Sequence, residues 1–77
     1  MLKLKTKWFH KWAEKQTVTD QLLLDTIENV HNNLGSTNLG SGLFKVRTPK
    51  EGKGKSGGYR TFLVYKESEI ALFVYGF

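Results

Sequence analysis

The sequence predicts an α+β fold of order β-α-α-β-β-β, with two helices on one face of a small, mostly antiparallel sheet. Three observations predict it. Apolar residues recur at helical spacing as far as Leu34. From Leu43 the period changes to two. The chain has 77 residues, enough for one domain, so both halves must share one core.

Leu2 and Leu4 alternate with Lys3 and Lys5, which reads as a short half-buried strand or a frayed start. Thr6 is a candidate cap for the first helix. Trp8, Phe9, Trp12 and Ala13 share a face of that helix, and Lys7, Lys11 and Lys15 form a separate charged stripe. Both tryptophans are expected in the core. Residues 16–20 break the pattern, and Thr17 with Asp20, or Thr19 alone, offers the next cap. A second helix is expected from about Val18 to Asn33. Its apolar stripe is Leu23, Ile27, Val30 and Leu34, flanked by Leu22. Asp20 in its first turn suits the helix dipole. Asn32, Asn33 and Gly35 form a stop signal. Residues 35–42 are polar and glycine-rich, and a loop is expected there.

Leu43 to Arg47 reads as a strand with Phe44 and Val46 on one face. Lys45 and Arg47 lie on the other, beside Leu43, and Pro49 closes the strand. Residues 50–58 form a basic loop. In the strand from Tyr59 to Lys66, Arg60, Phe62 and Val64 alternate with Tyr59, Thr61, Leu63 and Tyr65. Glu67, Ser68 and Glu69 make a tight reversal. Ile70 to Tyr75 is a nearly continuous apolar run, as a strand buried on both faces requires.

A domain this short buries roughly 60% of its unfolded surface, so its stability is marginal. The chain has no cysteine, hence neither a disulfide nor a thiolate zinc site. Its two Trp, three Tyr and five Phe must carry the core, and a bound partner would add stability. No apolar run approaches the ~20 residues that span a bilayer. The N-terminus has charge but no following apolar block, so it is no signal peptide. A soluble, cytoplasmic protein is expected, with no membrane partner.

The net charge of +5 is unevenly spread. Residues 1–15 carry +4, residues 16–42 carry −3, residues 43–60 carry +5 and residues 61–77 carry −1. Two basic segments thus bracket an acidic helix, which favours a polyanionic partner. The densest stretch runs from Lys53 to Arg60, with two lysines, three glycines and an arginine in eight residues. Glycines let a backbone approach a ligand closely. Lysine and arginine supply cationic donors for phosphate. Lys45, Arg47, Lys53, Lys55 and Arg60 therefore converge from one hairpin, at a cost in repulsion unless they stay solvated or bind an anion.

Such a cluster can act on RNA without metal. An arginine can stabilise charge developing on a phosphate. Cationic neighbours disfavour the charged form of a lysine and so ready it as a general base. The 2′-hydroxyl is an internal nucleophile, so no activated water is needed. Other chemistries find little support. His10 and His31 lie on separate helices without ligand-spaced neighbours, so no metal site is expected. Gly52 to Gly58 lacks the P-loop spacing and precedes a strand, which argues against nucleotide triphosphatase activity.

Four segments also occur in a familiar order. Trp8-Phe9 with Trp12-Ala13, Leu43 to Arg47, Gly54 to Thr61 and Phe73 to Phe77 resemble the WFxxWA, LFKxR, GKSGGYRT and FVYGF segments of a phage-derived branch of the RelE/HigB-like type II toxins. The resemblance spans nearly the whole chain. It implies a single toxin domain over residues 1–77, in the RelE/ParE superfamily, that cleaves mRNA in the ribosomal A site without a cofactor. It also implies an antitoxin partner, often a helix-turn-helix protein, that neutralises the toxin and co-represses transcription. Lys45 and Arg47 match positions where family lysines bind RNA and transfer protons, with arginine replacing lysine at the second. Arg60 matches the arginine that stabilises the scissile phosphate. Lys53 and Lys55 extend this set as RNA-binding residues by charge and position, and Tyr75 can stack on a base as well as pack in its strand. The family usually continues past FVYGF into a basic turn, whereas this chain stops at Phe77. Two alternatives stand beside the ribonuclease: a ParE-like gyrase inhibitor on the same scaffold, and, from the early end, a shortened, inactive toxin that still binds antitoxin.

Overall fold

The computed structural model describes residues 1–48 and 58–77. The elements in order are β1 (Leu2–Lys5), α1 (Lys7–Gln16), α2 (Asp20–His31), β2 (Ser36–Gly40), β3 (Leu43–Thr48), β4 (Tyr59–Lys66) and β5 (Ile70–Gly76). They form an α+β fold with one five-stranded sheet of order β1-β5-β4-β3-β2. Among the described strand pairs, β1–β5 is parallel and the rest are antiparallel. Pro49 and the basic loop from residue 50, including Lys53 and Lys55, lie outside the described residues as far as residue 57.

Local chemistry sets the helix bounds. The Thr6 hydroxyl accepts from the Phe9 N–H at 3.1 Å and caps α1. Of the two caps open to the second helix, Thr19 is the one used, accepting from the Leu22 N–H at 3.2 Å. That cap starts α2 at Asp20, two residues later than the expected Val18. The helix also ends at His31, and Asn33 (φ 57°) and Gly35 (φ 67°) turn the chain through the left-handed region. Leu34 consequently falls outside the helix and is exposed, so it drops from the expected stripe. Thr26 takes its place in the buried face beside Leu23, Ile27 and Val30.

Both helices pack on one face of the sheet, α1 on β5 and α2 on β3. Phe9 meets Phe73 with ring centroids 5.0 Å apart, and Trp12 meets Tyr59 edge-on at 5.3 Å. Val46, Leu63, Ala71 and Phe73 close the core from the sheet side. Trp8 departs from expectation: it is 47% exposed and lies outside the core.

Two further segments differ from the sequence reading. The expected polar loop contains β2, which pairs antiparallel with β3 from Ser36↔Val46 to Gly40↔Leu43. As an edge strand it faces solvent on one side, so its polar residues carry little penalty, and pairing overrides their weak strand preference. In β1 the leucines stay out of the core. Its parallel register puts Lys5 beside buried Phe73, on the helix side, where it pairs with Asp20 at 3.0 Å. Leu2 and Leu4 are exposed and lie on the opposite sheet face, in register with Ile70 and Leu72.

Candidate nucleic-acid interface

The candidate site is the sheet face turned away from the helices. In β3 the buried residues are Val46 and Thr48, so Lys45 and Arg47 project from the other side. In β4 the buried residues are Thr61, Leu63 and Tyr65, which sends Arg60 and Phe62 the same way. Alternation alone thus predicts the face correctly for these positions.

Cross-strand register brings the cations together. Arg47 lies directly opposite Arg60, and Lys45 directly opposite Phe62. The backbone N–H of Arg60 points to Phe77 O (3.0 Å), and that of Arg47 to Gly35 O (3.3 Å). Neither arginine bonds across the β3–β4 seam at this position. They form a non-hydrogen-bonded pair, the type with Cα atoms about 4.5 Å apart and side chains closest. Like charges opposed in this way cost stability. Among the described residues, Lys45, Arg47 and Arg60 take part in none of the ion pairs. Among the described residues the arrangement is an uncompensated cationic patch suited to an anion with several oxygens.

Behind the patch is a buried chain of hydroxyls. Thr26, Thr48 and Thr61 are fully buried, with Oγ1 atoms linked at 3.0 Å (Thr26–Thr48) and 3.1 Å (Thr48–Thr61). This chain joins α2, β3 and β4 directly beneath the two arginines, because Thr48 and Thr61 adjoin Arg47 and Arg60 in sequence.

Tyr75 reaches the same face through an irregularity. Phe62 pairs with Tyr75, but Leu63 pairs with Phe73, so Val74 is an extra residue in β5. Strict alternation would put Phe73, Tyr75 and Phe77 on one side. The bulge at Val74 leaves Phe73 in the core and turns Tyr75 to the cationic face, beside Phe62. Tyr75 is 48% exposed and stacks on Trp8, with centroids 4.6 Å apart and planes 14° from parallel.

Of the residues singled out from the sequence, Lys45, Arg47, Arg60 and Tyr75 are thus brought onto one face. Lys53 and Lys55 lie outside the described residues. Phe62 was not singled out, although its i+2 spacing from Arg60 is the signal that puts it there. The histidines lie elsewhere: His10 faces Glu14 at 3.7 Å, and His31 contacts the Tyr65 hydroxyl at 2.9 Å and Glu67 at 3.6 Å. Among the described residues no helix is long and apolar enough to cross a membrane.

The family model described as RelE toxin of RelE / RelB toxin-antitoxin system matches residues 1–77. No curated protein and no solved structure matches the chain at a significant level.

Proposed function

The chain belongs to the RelE toxin family, and from that premise we propose that it is a ribosome-dependent mRNA endoribonuclease whose basic hairpin face holds and cuts the RNA. Family membership makes it a toxin with an antitoxin partner. The observation that carries the ribonuclease reading is the directly opposed Arg47–Arg60 pair, with Lys45 on the same face and no ion pair to any of the three among the described residues.

The reaction uses the substrate's own nucleophile. The 2′-oxygen attacks the adjacent phosphorus, the bond to the 5′-oxygen breaks, and the products are a cyclic phosphate and a 5′-hydroxyl. We assign acceptance of the 2′-hydroxyl proton to Lys45, and the departing 5′-oxygen takes its proton from solvent water. Arg60, with Arg47 beside it, donates to the phosphate oxygens as negative charge develops. Lys53 and Lys55 add backbone contacts by charge, and Tyr75 contacts a base. The antitoxin is of helix-turn-helix type, and the protein works in the cytoplasm, where ribosomes present the message.

Induced expression of Arg60→Ala tests the assignment. Growth arrest is lost while the circular dichroism spectrum stays that of the parent. Full toxicity in a folded Arg60→Ala protein removes Arg60 from the site. Loss of plasmid supercoiling without RNA cutting replaces the ribonuclease with a gyrase inhibitor.

A further inference from the structure

We infer that Phe62, Tyr75 and Phe77 form a stacking platform for unpaired bases of single-stranded RNA, set beside the cations that hold its backbone. The inference rests on the RNA reading above and adds a base-binding subsite to it.

Two rows cross the sheet on the face away from the helices. One runs Lys45, Phe62, Tyr75 across β3, β4 and β5. The other runs Arg47, Arg60, Phe77, where Arg60 and Phe77 exchange backbone hydrogen bonds of 3.0 and 2.9 Å. Each row begins with a cation on β3 and ends with an aromatic ring in or just past β5. The two ends are two strand spacings apart, about 10 Å. The rings form a contiguous group: Phe62 to Phe77 is 5.8 Å between centroids, Phe62 to Tyr75 is 6.3 Å, and Tyr75 to Phe77 is 6.3 Å. Tyr75 and Phe77 remain about half exposed.

The rings share this face only because of the bulge at Val74. Bulges recur where a side chain must be re-aimed near a site. Here the re-aimed side chain is an aromatic that a regular strand would have sent toward the core. Trp8 then stacks on Tyr75 and fixes its plane without burying it. A sheet surface carrying exposed rings beside cations is how single-stranded nucleic acid is held: phosphates on the charges, bases on the π faces. The occupant is chosen by charge. Arg47 and Arg60 face each other across the seam without a counter-ion among the described residues, so an anionic chain with flat apolar groups fits both halves of the face.

The test compares binding of two probes to the full chain: a short oligoadenylate, and a backbone of the same length and charge lacking bases. The parent binds the oligoadenylate more tightly. Tyr75→Leu and Phe62→Leu each weaken it by about tenfold, and Tyr75→Phe restores it. Neither leucine variant changes binding of the abasic backbone, which also shows that the patch remains folded. Equal affinity for both probes, unaffected by the leucine variants, overturns the platform and leaves the RNA reading standing. No binding of either probe overturns both. A concentration-dependent dimer lost in Tyr75→Leu, with oligoadenylate affinity unchanged, assigns the rings to a second copy of the chain and overturns the platform.

Discussion

Thr48 sits between two other buried hydroxyls, and proton counting orients all three. The Thr26 hydroxyl has one proton, committed to Leu22 O at 2.7 Å. Thr48 must therefore donate to Thr26, and Thr61 must supply the proton toward Thr48, shared with Val46 O at 3.3 Å. Removing the middle member takes away the donor to Thr26 Oγ1 and leaves Thr61 only its longer bond to Val46 O. Thr48→Val is expected to cost about 1–3 kcal/mol in denaturant unfolding. A cost near zero means that the hydroxyls contribute little to holding the arginine pair. Tyr65 supports a prediction of a different kind. Burial raises the pKa of its hydroxyl above the ordinary tyrosine value, helped by the charges of Glu67 and Glu28. The folded state thus holds this proton more tightly than the unfolded chain does. The resulting stability is fully present below the unfolded pKa, about 10, and is lost as pH rises through the higher folded value. Thermal melts at rising alkaline pH should decline more steeply for the parent than for Tyr65→Phe. Parallel declines would contradict this.

At the scale of elements, the last strand matters most. Its Gly76 is required by a close approach: a Cβ there would lie 2.5 Å from ring carbons of Trp12. The indole is rigid and wedged between Phe9 and Tyr59. Gly76→Ala should therefore destabilise by about 1–3 kcal/mol and shift tryptophan emission. Unchanged stability and emission would show that α1 can move off β5 at no cost. The elements also show what a sequence makes legible. Period-two alternation put Lys45, Arg47 and Arg60 on one face, because regular strands carry their facing in the order of residues alone. Three features escaped it. Ser36 to Gly40 holds Thr37 as its one strand-favouring residue, and its pairing to β3 comes from position in the sheet. The Val74 bulge reverses the facing of Tyr75, and a nearly continuous apolar run gives no parity to read. The leucines of β1 look like core residues, yet the parallel register with β5 assigns the helix side to the lysines.

The whole molecule is a cationic sheet face braced by two helices, and its charge sets how it should meet RNA. If Lys45, Arg47, Lys53, Lys55 and Arg60 each neutralise one phosphate, the slope of log affinity against log salt should be about −3.5 on a single strand. Replacing any one of them with glutamine should reduce that slope by about 0.7. A slope unchanged by all five replacements would place the RNA on another surface. The central claim is that this face cuts messages on the ribosome. Primer extension on an mRNA being translated in a purified system tests it most directly. The account predicts cuts phased with codons, present only with ribosomes, and reduced about 10²–10³-fold by Arg60→Ala. Cuts that persist without ribosomes, or that Arg60→Ala leaves intact, would contradict it.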